Sequence, residues 1–153
     1  MDNIDKRLVE LGIELPETKE PDVNFSSCTR NGNMLFLSGQ GPFVNGKLKY
    51  KGKLGDTYGI DDGYDAARLT TLNLLSVIKR YLGTLDRVDQ ILKIIGFVNC
   101  TADFTDQPEV MHGASDVLKD IFGTEHSRSA IGVNSLPNNI PVEIEMIVSV
   151  KED

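Results

Sequence analysis

The sequence predicts an α+β fold in which two helices cover one face of a mixed β-sheet. Three observations support this prediction. Apolar residues recur every three or four positions from Asp61 to Leu82, as on one side of a helix. They alternate from Ile140 to Val150, as on one side of a strand. The predicted elements follow the order strands, helix, strand, helix and two strands, which favours helices segregated to one face of a sheet.

The N-terminal part of the chain, residues 1–22, is predicted to form an arm. DKRLVELGIEL repeats apolar residues at helical spacing and ends near Gly12, and PETKEP then combines two prolines with mixed charges, as extended connectors do. The turn RNGN leads into NMLFLSG, which begins at Asn33 and reads as a mostly buried strand. A second strand includes KLKYKG, after the turn at Asn45-Gly46.

Two helices and a strand are predicted in the middle of the chain. The acidic residues 61–62 suit the N-terminal end of the first helix, and Gly83 suits its end. QILKIIGFVNC is the next strand. Asp106 with Pro108 opens a second helix, whose apolar face ends before Gly123.

The stretch from Ser127 to Val150 is predicted to be a hairpin of two strands joined by a polar turn. The alternating apolar residues of its second strand face the core, so Glu143 and Glu145 face the other way. Neither glutamate is needed for a core hairpin, and the same is true of Arg128 at the start of the first strand. These three charges are therefore candidates for a functional role.

The first strand of this hairpin is predicted to place Ile131 and Val133 in the core. The residues at alternate positions of this strand then share the outer face with the two glutamates. This outer face is less polar than a solvent-exposed sheet face usually is. We expect another chain to cover it. The residues of this predicted face, besides the two glutamates, are Arg128, Ala130, Gly132 and Ile147.

A register estimate separates the charges within one copy. With the turn near residues 137–139, Glu143 lies opposite Gly132 and roughly 13 Å or more from Arg128, too far for one small ligand to bridge. Copies from adjacent subunits could bring these charges together around a symmetry axis. Two interpretations stay open: an inter-subunit salt bridge with solvated glutamates, or the two parts of a shared site.

Length, charge and composition narrow the function classes. The 153 residues predict one domain, 1–153, and the formal net charge of −7 opposes nucleic-acid binding. Four lysines at alternating positions between 47 and 53 are expected to form a solvated face. Without a bilayer-spanning apolar run or a signal-peptide core, the protein is expected to be soluble and cytoplasmic, with no membrane partner.

Neither cysteine nor histidine predicts a metal or disulfide site. Cys28 and Cys100 are isolated, so we expect both to be reduced, buried as small apolar residues and dispensable for activity. His112 and His126 are not set with cysteines or carboxylates at the spacing of metal ligands. No metal and no cofactor are predicted.

Four motifs in combination resemble the RidA/YjgF family of reactive imine/enamine deaminases, also labelled endoribonuclease L-PSP proteins. They are GNMLFLSGQGP, AARLTTLNLLSVI, LDRVDQILKIIGFVN and SRSAIGV…LP…VEIE. The resemblance covers most of the chain from about Phe25 onward. It implies the chorismate-mutase-like α+β fold and a homotrimer with clefts between subunits, in line with the register estimate.

The resemblance also implies roles for particular residues. Arg128 falls on the arginine that pairs with the substrate carboxylate, and a planar guanidinium offers the bidentate donors that a carboxylate needs. Glu143 falls on the catalytic glutamate, which positions the attacking water and carries protons. The backbone carbonyl of Ala130 is a further water contact, at a position where the family usually has cysteine. The substrate-binding turn Ser-Gly-Gln falls on Ser38, Gly39 and Gln40, where glycine permits close approach of a ligand.

Two substitutions and the longer chain depart from the family pattern. Phe25 replaces a cleft tyrosine and lacks its hydroxyl group, and Ser115 occupies the place of an asparagine usually found at the start of the second helix. Asn73 and Asn99 are expected to be structural hydrogen-bonding residues. The N-terminal arm and two further segments resemble a divergent branch of the family.

The implied function is hydrolysis of 2-aminoacrylate-type enamines or imines to 2-keto acids and ammonia, on a small carboxylate-bearing metabolite. The alternative is a non-catalytic trimer that binds such a metabolite as a sensor or regulator. A ribonuclease is the third interpretation, disfavoured by the acidic charge and by the lack of a histidine pair.

Overall fold

A computed structural model describes residues 3–152 of the chain. Ten helices and strands lie within these residues, together with short 3-10 turns at Leu85–Arg87 and Pro137–Asn139. In chain order they are α1 (Ile4–Glu10), β1 (Cys28–Asn31), β2 (Met34–Gln40), β3 (Phe43–Val44), β4 (Lys47–Leu48), α2 (Ile60–Leu82), β5 (Val88–Asn99), α3 (Gln107–Phe122), β6 (Ser127–Val133) and β7 (Val142–Val150).

Five of the strands form one mixed sheet in the order β1-β2-β7-β5-β6. Only β5 and β6 run parallel among these neighbours; the other pairs are antiparallel. Helix α2 packs against α3 and β7, and α3 also contacts β5 and β6, so both helices cover the same face. The predicted α+β class, with two main helices on one face of a mixed sheet, is confirmed. Within residues 3–152 no helix is long and apolar enough to span a bilayer.

Helix α2 forms where its local sequence predicts it. The Asp62 side chain accepts a hydrogen bond from the backbone N–H of Gly59 at its start, and Gly83 ends it with a left-handed φ of 86°. Its apolar side is buried at Leu74 and neighbouring positions. Helix α3 approaches closely at Gly113, where a Cβ would lie 2.0 Å from the carbonyl oxygen of residue 64.

The predicted hairpin of the last two strands is wrong. Strand β5 lies between β6 and β7, parallel to the first and antiparallel to the second. This 12-residue strand is rich in apolar residues, and its backbone groups are satisfied only with a partner at each edge. The connection 134–141 crosses its end, where the Asn99 amide donates to Asn139 Oδ1 and to the carbonyl of Ile140, each at 3.0 Å. The structural role expected for Asn99 is confirmed.

The predicted facing of β6 is also wrong. Arg128 pairs with Ile94, which pairs in turn with Met146 of β7, and the last two are core residues under the helices. Arg128, Ala130 and Gly132 therefore face α3. Ile131 lies between the last two and points the other way, and it is 43% exposed on the open face. Small residues suit the helix side because α3 lies close: a Cβ on Gly132 would meet the Gln107 side chain at 2.7 Å.

Two further expectations need correction. KLKYKG adds no strand to the main sheet; only Lys47–Leu48 is extended, and it pairs with Phe43–Val44 in a separate two-stranded sheet. Strand β2 is half-buried rather than mostly buried, because its leucines face the helices while Met34 and Phe36 lie 38% and 41% exposed on the open face. The open face of the sheet thus exposes large apolar side chains.

The N-terminal arm is fixed to α2 by hydrogen bonds. Ser76 Oγ donates to the carbonyl of Pro16 (2.5 Å), and Arg80 pairs with Glu20 (3.0 Å). Asn73, in the same helix, donates to the carbonyl of Phe43 at 2.8 Å, as a structural residue would. The first two residues of the predicted arm, 1–22, lie outside the described residues.

Candidate functional site

Arg128 is the centre of a polar cluster between β6 and α3. Its Nη1 donates to Nδ1 of His112 and to Oγ of Ser115, each at 3.1 Å. The same serine oxygen lies 2.9 Å from Nε2 of His126. We call these four residues, with Ala130 two positions further along β6, the arginine half-site.

Helix and strand periodicity bring these side chains together. His112 and Ser115 are three residues apart in α3 and so lie on one side of that helix. His126 directly precedes β6, and Arg128 is the second residue of that strand, so the two are two positions apart in the sequence. Because α3 packs over β6, the two pairs meet. Ser115 lies in the middle of α3. The asparagine that it is predicted to replace is expected at the start of this helix, so the two positions differ.

The electrostatic environment keeps His126 neutral. Partial burial lowers the pKa of its imidazole below the ordinary value of 6.5, and the charge of Arg128 lowers it further, against an opposing effect of Glu125. At neutral pH the ring therefore carries one proton and offers one nitrogen as an acceptor. Such a ring can accept the hydroxyl hydrogen of Ser115.

Glu143 lies in β7, on the open face of the sheet, beside a bulge in β2. Leu37 pairs with Met146 and Gln40 with Ile144, so β2 uses one extra residue opposite this part of β7. A Cβ on Gly39 would lie 2.9 Å from the carboxyl carbon of Glu143. Only glycine at position 39 leaves room for the carboxyl group in this position.

The surroundings of Glu143 raise its pKa. Partial burial disfavours the charged form, and the like charge of Glu145 adds to the effect, so the pKa lies above the ordinary 4.5. A carboxylate whose pKa is raised is a better proton acceptor than a fully solvated one. The residue is therefore suited to take a proton from water and to pass it on.

The remaining predicted substrate-binding residues lie in the β2 bulge beside Glu143 or in the loop bonded to that bulge. Ser38 Oγ donates to the carbonyl of Ser26 at 2.8 Å, which ties the bulge to the loop that carries Phe25. The Phe25 ring is 56% exposed. Ser27, at the end of this loop, donates its backbone N–H and its hydroxyl to Glu20, at 2.8 and 2.5 Å. We call Phe25, Ser38, Gly39, Gln40 and Glu143 the glutamate half-site.

The two half-sites are separate within one copy of the chain. Directly across the sheet from Arg128 lies Met146, three residues from Glu143. Arg128 lies two strands away from β7, and Glu143 lies three residues further along β7, so their Cα atoms are roughly 14 Å apart. The two side chains also lie on opposite faces of the sheet. The separation agrees with the sequence estimate, although the pairing behind that estimate was wrong.

The sequence interpretation missed both histidines. The spacing of His112 and His126 predicts no metal site, and no sequence pattern places either ring beside Arg128. The fold places both rings around Arg128, His112 in direct contact and His126 through Ser115. One sequence signal was available: His-x-x-Ser in the second helix and His-x-Arg at the start of the next strand. This signal is informative only once the helix is known to pack on the strand.

Comparisons with known proteins agree with this architecture. A family model described as "YjgF/chorismate mutase-like, putative endoribonuclease" matches residues 5–147. The chain is 38% identical over 144 residues to Protein TCP17 of Trypanosoma cruzi, covering 92% of this chain and 90% of that protein. It is 28% identical over 141 residues to a 2-iminobutanoate/2-iminopropanoate deaminase of Dermatophagoides farinae, covering 91% and 95%.

A solved structure shares almost the whole fold. The crystal structure of a "putative endoribonuclease" from Shewanella oneidensis superposes with a TM-score of 0.92 at 35% identity, covering 97% of this chain and all of that one. The family match extends over more than nine-tenths of the chain, and the predicted resemblance is confirmed. The chain belongs to the YjgF/chorismate mutase-like family.

Proposed function

We propose that the protein hydrolyses reactive 2-imino acids and their enamine tautomers to 2-keto acids and ammonia, without a cofactor. The observation that carries this proposal is the orientation of Arg128. Its Nη1 is held by His112 and Ser115, so the Nε–Nη2 edge is presented to a planar anion as two parallel donors. A small carboxylate is the ligand that fits this edge.

Glu143 provides the proton transfers that the reaction needs. Water adds to the C=N carbon of the imine and gives a proton to the Glu143 carboxylate. The carboxyl group returns this proton to the nitrogen, which gives a neutral carbinolamine. Glu143 then takes the proton of the new hydroxyl group and passes it to the nitrogen, so that ammonia leaves as the C–N bond breaks and the C=O bond forms. The raised pKa of Glu143 suits both steps, and the backbone carbonyl of Ala130 is proposed to hold the water.

The reaction requires two copies of the chain, because the half-sites of one copy face apart. We propose a homotrimer in which the arginine half-site of one copy meets the glutamate half-site of its neighbour. Strand β6 is a sheet edge, so a neighbouring copy can reach the arginine half-site from the side of the sheet. That face exposes Met34, Phe36 and Ile131, and covering it with a neighbour removes apolar surface from water.

The deaminase relative supports the choice of reaction, and the alternative is a trimer that binds the same metabolite without turnover. Imino acid is generated in situ by an amino-acid oxidase, and its decay is followed with and without the protein. Calorimetry with 2-ketobutyrate measures binding separately. Faster decay supports the deaminase; binding without faster decay establishes the sensor; neither binding nor faster decay overturns both. The net charge of −7 continues to oppose a ribonuclease.

Mixing inactive variants tests whether the site is shared. Arg128→Lys and Glu143→Gln homotrimers are each expected to turn over poorly. When the two are unfolded and refolded together in equal amounts, about a quarter of the clefts receive an intact arginine and an intact glutamate. Recovery of about a quarter of the wild-type rate is expected. No recovery, or a stable monomer at micromolar concentration in sedimentation, would contradict the shared cleft.

A further inference from the structure

The chain's two histidines form contacts around Arg128 that the proposed reaction does not require. Within residues 3–152, both hydrogen bonds of Arg128 come from one nitrogen, Nη1, to His112 Nδ1 and Ser115 Oγ. Each Nη nitrogen of a guanidinium carries two hydrogens and can only donate. These two contacts therefore use both hydrogens of Nη1 and fix the plane of the group.

We infer that His112, Ser115 and His126 are positioning residues that turn the Nε–Nη2 edge of Arg128 toward the carboxylate of the ligand. His112 and Ser115 act directly on Nη1, and His126 acts through the serine hydroxyl. An arginine fixed before binding loses less side-chain freedom when the ligand arrives. The inference rests on the proposed function only for the identity of that ligand.

The contacts dictate a different tautomer for each histidine. Because Arg128 can only donate, Nδ1 of His112 must carry a lone pair, and the proton of that neutral ring lies on Nε2. Ser115 Oγ accepts from Arg128, and Nε2 of His126 is the acceptor at 2.9 Å for its hydroxyl hydrogen. His126 therefore carries its proton on Nδ1. Partial burial and the neighbouring guanidinium favour the neutral form of this ring.

Nitrogen NMR of the ligand-free protein tests these assignments directly. The sequence has only two histidines, so long-range proton–nitrogen spectra of labelled protein show two ring systems that single substitutions assign. We expect two neutral rings in opposite tautomers at neutral pH. A charged ring, or the same tautomer in both, would overturn the inference. This measurement needs no ligand, so it decides the question even if the protein binds no 2-keto acid.

Variants that keep or remove the acceptor separate positioning from simple packing. The side-chain oxygen of Asn corresponds to Nδ1 of histidine, and that of Gln to Nε2. His112→Ala and Ser115→Ala should weaken 2-ketobutyrate binding about fivefold to tenfold, the scale of one lost hydrogen bond. His112→Asn and His126→Gln should stay within about twofold of wild type. Equal losses in the Ala and Asn variants of His112, or no loss in either, would contradict a positioning role.

Discussion

The two half-sites differ in what surrounds their charged groups. The guanidinium of Arg128 lies against His112 and Ser115, which hold it by hydrogen bonds. The carboxyl group of Glu143 lies against the backbone of Gly39 and beside the like charge of Glu145. The first environment fixes a permanent charge in one orientation, whereas the second makes a charge less favourable and easier to neutralise.

This difference corresponds to the two tasks of the proposed reaction. Recognition of a carboxylate needs a fixed charge with donors in a fixed plane. Proton transfer needs a group that gains and loses its charge within the working pH range. If the comparison is right, changes in the arginine half-site should affect binding, and changes in the glutamate half-site should affect turnover.

The largest effect is expected from Glu143→Gln. Glutamine keeps the size and hydrogen-bonding capacity of the side chain but removes the basic carboxylate, so kcat should fall by roughly 10²–10⁴. Binding of 2-ketobutyrate, measured by calorimetry, should remain. Glu145→Gln is the matched control and should keep most of its turnover at the optimum pH. A comparable loss in both variants would show that Glu143 has no special role.

Arg128→Lys should have the next largest effect, on binding. Lysine keeps the charge but cannot offer two parallel donors, so affinity for pyruvate or 2-ketobutyrate should weaken by about 1.5–3 kcal/mol. Arg30→Lys is the control, because Arg30 lies in β1 at the opposite edge of the sheet and its Nε donates to the carbonyl of Gly32. Unchanged keto-acid affinity in Arg128→Lys would remove the basis for assigning the carboxylate to this residue.

The pH dependence of turnover should show the raised pKa of Glu143. Its charged form is the base, so the rate should be lost as pH falls through a value above the ordinary 4.5. Glu145→Gln removes a like charge and should move this acid limb to lower pH. Burial is the larger cause of the shift, so the limb should stay above the ordinary value. Movement to higher pH in this variant would contradict the stated cause.

The smallest effect is expected from the cysteines, which belong to neither half-site. Both are free and buried. Burial, assisted by the charge of Glu20, raises the pKa of Cys28 to about 11, so its thiol is protonated and a poor nucleophile at neutral pH. Cys28→Ala and Cys100→Ala should keep imine hydrolysis within about twofold when folding is intact. A clear loss of turnover in a folded variant would add a thiol to the site.

The sequence alone determined the elements whose formation depends on neighbours along the chain. Helix α2 follows from apolar residues at helical spacing and from Gly83 at its end, and the structure begins it at Ile60, one residue before the predicted start. The outward direction of Glu143 follows from strict alternation in β7. These features were predictable because helix and strand periodicity are local properties of the backbone.

Only the tertiary structure decided how these elements are paired. The pattern of β6 fits either face of a sheet, and it fits a hairpin with β7 as well as a parallel pairing with β5. The burial of β5 selected the parallel pairing, which turned Arg128 toward α3. That choice brought His112 and Ser115 to the arginine and put the arginine on the face opposite Glu143. The physical reason is that strand order depends on burial and hydrogen bonding over the whole sheet, which no local pattern contains.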